Sequence, residues 1–201
     1  MNVTVIDYGA GNVTSVERAL QRLGAASQRS SSPECIAKAE ALLLPGVGHY
    51  AALIRALDER GLRAPLLDAI QRGVPFLGVC LGLQALYETS EEAPELRGLR
   101  LFPGAVRSLP ATVKLPHMGW NQLKLTCSSR LLEGISADAY FYFAHSYAAT
   151  CSKGEAVALC NHGVEFAAVI EKQNIFAVQF HPEKSADAGA RLLQNFLRLA
   201  A

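Results

Sequence analysis

The stretch Pro-Phe-Leu-Gly-Val-Cys-Leu-Gly-Leu-Gln at 75–84 limits the possible folds more than any other part of the chain. An apolar run of strand character, 75–79, drives straight into a Cys flanked by two glycines, and 83–87 reads as the opening of a helix. A strand that turns so sharply into a helix belongs to an α/β sheet, with the apex side chain pushed out of the sheet on strained backbone. Gly78 and Gly82 carry no Cβ, so neighbouring backbone can crowd past the apex. This is the Gly-x-nucleophile-x-Gly elbow with sulfur in place of a serine oxygen, and a thiol at the start of a helix is biased toward thiolate. Cys80 is the candidate nucleophile; the competing account is a small buried thiol in a core strand.

Upstream of the elbow, strands and helices alternate. Residues 2–6 suit a central strand and 7–12 a loop. The spacing of Thr14 and Glu17 resembles a capping box for a helix striped by Val16, Leu20 and Leu23 and stopped by Gly24. Gly9 and Gly11 invite a dinucleotide reading, but Thr14 stands where that fingerprint needs its third glycine, so a close helix-on-sheet turn is the better account. Ser32 and Pro33 open a short helix. Residues 41–44 form a buried strand that ends in Pro-Gly-Val-Gly at 45–48. Glycines there let main-chain N–H groups face a ligand, as an oxyanion hole requires, although an ordinary turn has the same composition. Helical segments at 53–61 and 64–73 then lead into the elbow strand. The order β-α-β-α-β-α-β-α predicts a doubly wound, mostly parallel sheet with helices on both faces.

Beyond residue 88 the pattern becomes β-rich. An acidic loop at 90–95 precedes short strands at 105–109 and 122–125. Between them lies a Pro-rich loop, 115–121, holding the single Trp, whose composition is that of a binding surface. Strands follow at 140–147, 156–159, 166–170 and 175–180, and a closing helix carries Ala188, Leu192, Phe196 and Leu199 on one stripe. The last strand runs into His181, Pro182 and Glu183. Pro holds the backbone extended, so residues two apart point the same way and imidazole can lie beside carboxylate. With Cys80 at the same sheet edge, His181 would take the thiol proton and Glu183 would hold the ring's tautomer.

Composition narrows the rest. The 201 residues suit one domain over 1–201, and 50% hydrophobic content with a net charge of +1 argues against disorder and against a nucleic-acid surface. No apolar run reaches membrane-spanning length. The N-terminal run has no basic region before it, so it reads as a strand and not a signal peptide. Five cysteines with no Cys-x-x-Cys pair point to reduced thiols in a cytoplasmic protein, with neither a zinc site nor disulfides.

The Gly-Val-Cys-Leu-Gly-Leu-Gln at 78–84 and Gln-Phe-His-Pro-Glu at 179–183 resemble the triad class of glutamine amidotransferases. The motifs at 7–12, 45–48, 116–121, 145–147 and 181–185 are similar to those of the amidotransferase subunits of imidazole glycerol phosphate synthases. That resemblance implies a flavodoxin-like doubly wound core with an added antiparallel β-rich C-terminal half. It implies hydrolysis of glutamine by Cys80, His181 and Glu183 through a thioester, without cofactor or metal. It assigns the oxyanion hole to Gly46, Val47, Gly48 and Leu81, and the glutamine contacts to Gln84, Glu92, Ser146 and Tyr147. Glu92 would pair with the substrate ammonium. The implied partner is a (β/α)8-barrel cyclase in a heterodimer, which would receive ammonia through an internal channel and meet Tyr8, Asn12, His117, Met118, Trp120, Asn121 and Lys184. Two other readings compete. One is the glutaminase subunit of pyridoxal phosphate synthase, which the Trp-bearing segment disfavours; the other is a silent regulatory module, which the intact Cys80, His181 and Glu183 disfavour.

Overall fold

Two apolar tetrapeptides, Ala41–Leu44 and Phe76–Val79, are buried at every position and form the middle of the main sheet. The structure, a computed structural model, describes residues 2–10, 12–150 and 156–201; Gly11 of the first loop and Cys151 lie outside the described residues. Strands β1 (Asn2–Ile6), β2 (Ala26–Ser30), β3 (Ala41–Leu44) and β4 (Phe76–Val79) alternate with α1 (Val13–Arg22), α2 (Pro33–Ala37) and the pair α3 (Tyr50–Glu59) and α4 (Arg63–Gln71). The elbow helix α5 (Leu81–Gln84) is followed by β5 (Thr89–Ser90), β6 (Ala105–Ser108), β7 (His117–Gln122), β8 (Lys124–Leu125) and β9 (Tyr140–His145). Then come β10 (Tyr147–Ala149), β11 (Ala156–Asn161), β12 (Glu165–Lys172) and β13 (Ile175–Val178). A 3-10 turn, Pro182–Lys184, leads into α6 (Ala186–Leu199).

The main sheet has eight strands in the order β2-β1-β3-β4-β13-β12-β11-β8. The first five pair in parallel, the flavodoxin-like arrangement, and the last three add antiparallel. Alternate side chains serve two cores. Leu42, Leu44 and Phe76 pack with Leu53, Ile54, Leu57 and Leu66 on one face. Leu43, Leu77 and Val79 pack with Val16, Leu20, Leu192 and Phe196 on the other. With both faces covered, the central strands have no polar side to show, which is why they read as continuous apolar runs. Two smaller sheets are β10-β6-β5 and β7-β9, and β9 meets the chain just past β13, where His181 N–H donates to Tyr142 O at 2.9 Å. Among the described residues no helix is long and apolar enough to cross a membrane.

Several local expectations are corrected. Asn12, not Thr14, is the N-cap of α1; Thr14 lies inside the helix and accepts a bond from Arg29, which also pairs with Glu17. Strand β2 is an edge strand of polar and small residues, so it carries no hydrophobic alternation to betray it. Helix α3 begins at Tyr50 because the His49 side chain caps it, and α5 begins at Leu81, directly after the thiol. Residues 117–122 are not loop but strand β7, hydrogen-bonded along its length to the aromatic β9.

Candidate active site

The elbow is strained where the sequence requires it. Cys80 has φ 54° and ψ −105°, a left-handed conformation that costs a non-glycine residue on the order of 1–3 kcal/mol. Its N–H donates to Val178 O at 2.8 Å, and its carbonyl accepts from Leu83 N and Gln84 N at 3.0 and 3.1 Å. The flanking glycines are obligatory. A Cβ on Gly82 would lie 2.1 Å from Leu44 O, and one on Gly78 would lie 2.7 Å from Gly82 O. The thiol, only 4% exposed, opens into a cleft of about 540 Å3.

Because β4 and β13 are neighbours in register, with Val79 opposite Val178, their C-terminal ends deliver Cys80 and His181 to one edge. His181 Nδ1 lies 3.0 Å from Glu183 Oε1, and both side chains are almost fully buried. The expected juxtaposition is present, but its cause is different: Pro182 starts a 3-10 turn, and the turn, not extended chain, folds the carboxylate back to the ring. A carboxylate accepts, so Nδ1 carries the proton and Nε2 is left for the thiol. Burial pulls the imidazole's pKa down, but hydrogen bonding and charge from Cys80 and Glu183 outweigh it and raise the pKa to about 10. The raised pKa favours the imidazolium form of His181 beside the sulfur. Ser185 fixes the turn: its hydroxyl donates to His181 O at 2.7 Å and accepts from Tyr142 N at 3.0 Å.

Val47, Gly48 and Leu81 line the cleft, whereas Gly46 lies behind it against Leu81. In this structure the Gly46 carbonyl accepts from Leu81 N at 3.4 Å, so an oxyanion donor is already engaged. The Val47 N–H faces the buried Tyr8 hydroxyl without closing a well-formed bond. Desolvation pushes the Tyr8 phenol up to about 12; the Val47 amide opposes this, and the nearby charges of Cys80 and Asp7 add to it.

Gln84, Glu92, Ser146 and Tyr147 all line the same cleft as Cys80 and His181. Glu92 has a second contact, since its Oε2 accepts from Tyr50 N at 2.8 Å and caps α3. The residues expected at a partner surface divide. Met118 and Trp120 are 64% and 53% exposed, Lys184 is exposed with its ammonium 5.6 Å from the Tyr142 ring centroid, and Asn12 lines the cleft. Tyr8 and His117 are instead buried, at 2% and 5% exposure, and Asn121 turns inward to His117 and Asn161 O. On a strand alternate side chains face opposite ways, so a ribbon that shows Met118 and Trp120 must bury His117 and turn Asn121 in. Trp120 packs edge-on against Tyr142 across the ribbon, at 5.9 Å between centroids.

Three residues in and around the site had no role in the sequence reading: Gln179, Ser185 and His145. Gln179 is fully buried and its Nε2 lies 3.5 Å from Cys80 Sγ. It stands two positions before His181, on the same side of the strand end, and that spacing was the available signal. Among the described residues there is no cluster of three or more His, Cys, Asp or Glu able to hold a metal ion.

Known proteins resemble this chain over nearly its whole length. The family model for class-I glutamine amidotransferases matches residues 4–200. The chain is 48% identical to imidazole glycerol phosphate synthase subunit HisH of Methanothermobacter thermautotrophicus, over 98% of each chain. It is 45% identical to the HisH subunit of Salinibacter ruber, over 98% of this chain and 94% of that one. Two solved structures share the fold at a TM-score of 0.78. One is a glutamine amidotransferase at 22% identity, covering 98% of each chain; the other is PurLQS from Thermotoga maritima at 18% identity, covering 100% of this chain and 99% of that one.

Proposed function

The chain belongs to the class-I glutamine amidotransferase family, and from that membership we propose that it is the glutamine-hydrolysing subunit of an imidazole glycerol phosphate synthase. The observation that carries the reading is the buried Cys80–His181–Glu183 arrangement at the floor of a cleft, in a chain nearly half identical to HisH subunits. Cys80 thiolate attacks the side-chain carbonyl carbon of glutamine, and the oxygen gathers negative charge opposite Leu81 and Val47. His181, protonated, gives its proton to the departing nitrogen, so ammonia leaves and a γ-glutamyl thioester remains. The neutral imidazole then takes a proton from water, whose oxygen attacks the thioester; glutamate departs and the thiolate and imidazolium are restored. Glu183 holds the ring and stabilises its charged form. Glu92 receives the substrate ammonium, while Gln84, Ser146 and Tyr147 border the amino-acid moiety.

The partner is a (β/α)8-barrel cyclase. It docks on the exposed face of the β7–β9 ribbon, where Trp120 is exposed and Met118 and Lys184 border the cleft. Ammonia crosses within the complex and is used on phosphoribulosyl-formimino aminoimidazole carboxamide ribonucleotide, so the ammonia need not enter solvent.

The test is Cys80→Ala in the complex with the cyclase. Glutamate release should fall below about a thousandth of wild type, because only binding and oxyanion stabilisation remain. Synthesis from added ammonium salt should persist. Residual glutaminase above that level removes Cys80 from its role, and a wild-type complex that makes no glutamate removes the function.

A further inference from the structure

Behind the catalytic pair lies a run of buried polar groups that the triad chemistry does not use. It starts at the nucleophile. Gln179 Nε2 lies 3.5 Å from Cys80 Sγ, and Gln179 Oε1 accepts from Gln84 Nε2 at 3.1 Å. Gln84 Nε2 also donates to Tyr147 O at 2.8 Å. The same carbonyl is contacted at 2.8 Å by His145 Nδ1. His145 Nε2 lies 3.0 Å from His117 Nδ1, and His117 Nε2 lies 3.3 Å from Asn121 Nδ2, which also donates to Asn161 O at 3.1 Å.

The polarity of this chain is not free. A main-chain carbonyl can only accept, so both branches that meet at Tyr147 O must offer it a proton. On one side Gln84 must present its NH2 group, and Gln179 must therefore answer with its oxygen. That leaves the Gln179 NH2 group facing sulfur. Flipping Gln179 would set NH2 against NH2, and flipping Gln84 as well would set its oxygen against the carbonyl. On the other side His145 carries its proton on Nδ1, so Nε2 accepts from His117 Nδ1–H, and His117 Nε2 accepts from Asn121. The Asn121 orientation is fixed independently, because its Oδ1 accepts from Gln122 N at 2.8 Å. Every link is satisfied only while both imidazoles are neutral. Desolvation lowers His117 to about 4, with His162 adding to the effect, and lowers His145 to about 3, against the pull of Tyr147 O.

We propose that Gln179 is a catalytic donor to the Cys80 sulfur, aimed through Gln84 by the Tyr147 carbonyl, on which hydrogen bonds from the β7–β9 ribbon also converge. The inference rests on Cys80 being the nucleophile of the proposed reaction. His181 approaches the thiolate as acid and base, and Gln179 supplies a second, non-titrating donor. The sulfur's charge is thus shared between a group that must give up its proton during the cycle and one that never does. His145, His117 and Asn121 are positioning residues. They lie on the strands whose opposite face carries Met118 and Trp120, so the carbonyl that aims the donor is held in place from the ribbon that also presents those exposed residues.

The test is the pH profile of Cys80 alkylation by iodoacetamide in the full chain, followed at that residue by mass spectrometry. Titratable groups facing the sulfur are His181 with Glu183 behind it, Tyr8 from the β1–α1 loop, and Glu92, Lys184 and His145 around the cleft. All of them are kept in each variant. Gln179→Met removes the donor. Losing a hydrogen bond to a charged acceptor should move the profile up by about one pH unit, about tenfold in rate near neutral pH. Gln179→Glu is isosteric, still accepts from Gln84, and presents a carboxylate to the sulfur, so it should move the profile further the same way. His117→Phe keeps a ring stacked on Phe143 but removes the donor to His145, and should give a smaller shift in the same direction. Unmoved profiles in both Gln179 variants, with circular dichroism unchanged, would overturn the donor. Shifts in those variants with none in His117→Phe would overturn the chain that aims it. A wild type that alkylates as described but never hydrolyses glutamine would instead refute the proposed function.

Discussion

The isolated chain should be a poor glutaminase that its partner switches on, because the Leu81 N–H, an expected oxyanion donor, is already bonded to Gly46 O in the structure. An acyl-transfer site needs donors aimed at the developing oxyanion, and the proposed reaction would take them from Leu81 N–H and Val47 N–H. Leu81 N–H is engaged with Gly46 O, and Val47 N–H faces Tyr8. Each missing donor lowers kcat by about a hundredfold to a thousandfold. The chain alone should therefore run at least about a hundredfold below the activated complex. The resting orientation is held lightly. A 3.4 Å bond between neutral groups contributes on the order of 1 kcal/mol, and Gly48, at φ 96° with no atom within 4 Å of where a Cβ would sit, lets the peptide turn. Moving the population from one part in a hundred to ninety-nine parts needs about 5.5 kcal/mol of differential binding, within reach of a protein interface. Asn12, Met118 and Lys184 line the cleft where that binding would act.

The assay is glutamate release by the chain alone, with cyclase, and with cyclase plus an analogue of its nucleotide substrate. A stepwise rise is expected. Equal rates in all three would mean that the donors are already competent, and the reading of the Gly46–Val47 peptide would fail.

Three further outcomes follow from the geometry. His181→Asn should be nearly as damaging to glutaminase activity as loss of the thiol, whereas Glu183→Gln should cost less because the amide still fixes the ring; steady-state kinetics of the complex compares them, and equal losses would mean that the carboxylate does more than orient. Gly82→Ala should destabilise the chain by several kcal/mol or prevent folding, since its methyl would sit 2.1 Å from Leu44 O on rigid backbone; an unchanged urea midpoint would contradict the elbow packing. Stability should fall as pH drops from about 6.5 toward 4, because neutral His117 and His145 have folded pKa values of about 4 and about 3, so the unfolded chain binds more protons in that window. His181, with its pKa raised, contributes in the opposite sense: its stabilisation is complete below about 6.5 and is lost as pH rises toward about 10. Urea midpoints across that range, with His117→Phe flattening the acid limb, check both signs.

What could be read from the chain depended on where the information resides. Wherever side-chain type alone decides, as in the wholly apolar β3 and β4, the two glycines around Cys80 and the stripe on α6, the elements lie close to where the pattern puts them. Helix and strand boundaries that depend on a single cap or on tertiary pairing were harder: His49 caps α3 with a ring nitrogen, and β7 is a strand because β9 lies alongside it. Pairing also reverses the roles within the segment 117–121. Taken as a loop it could show every side chain; as a ribbon edge it must bury His117 in order to show Met118 and Trp120. The triad was legible as residue types but not as geometry, since Pro182 starts a turn as readily as it extends a strand. The deepest layer had little sequence signal beyond the two-residue spacing of Gln179 from His181. Gln179, Gln84, His145, His117 and Asn121 are common polar residues scattered from position 84 to position 179, and each could face either way. One main-chain carbonyl, that of Tyr147, decides the direction of every donor between the ribbon and the sulfur, and a carbonyl is present at every residue of every chain.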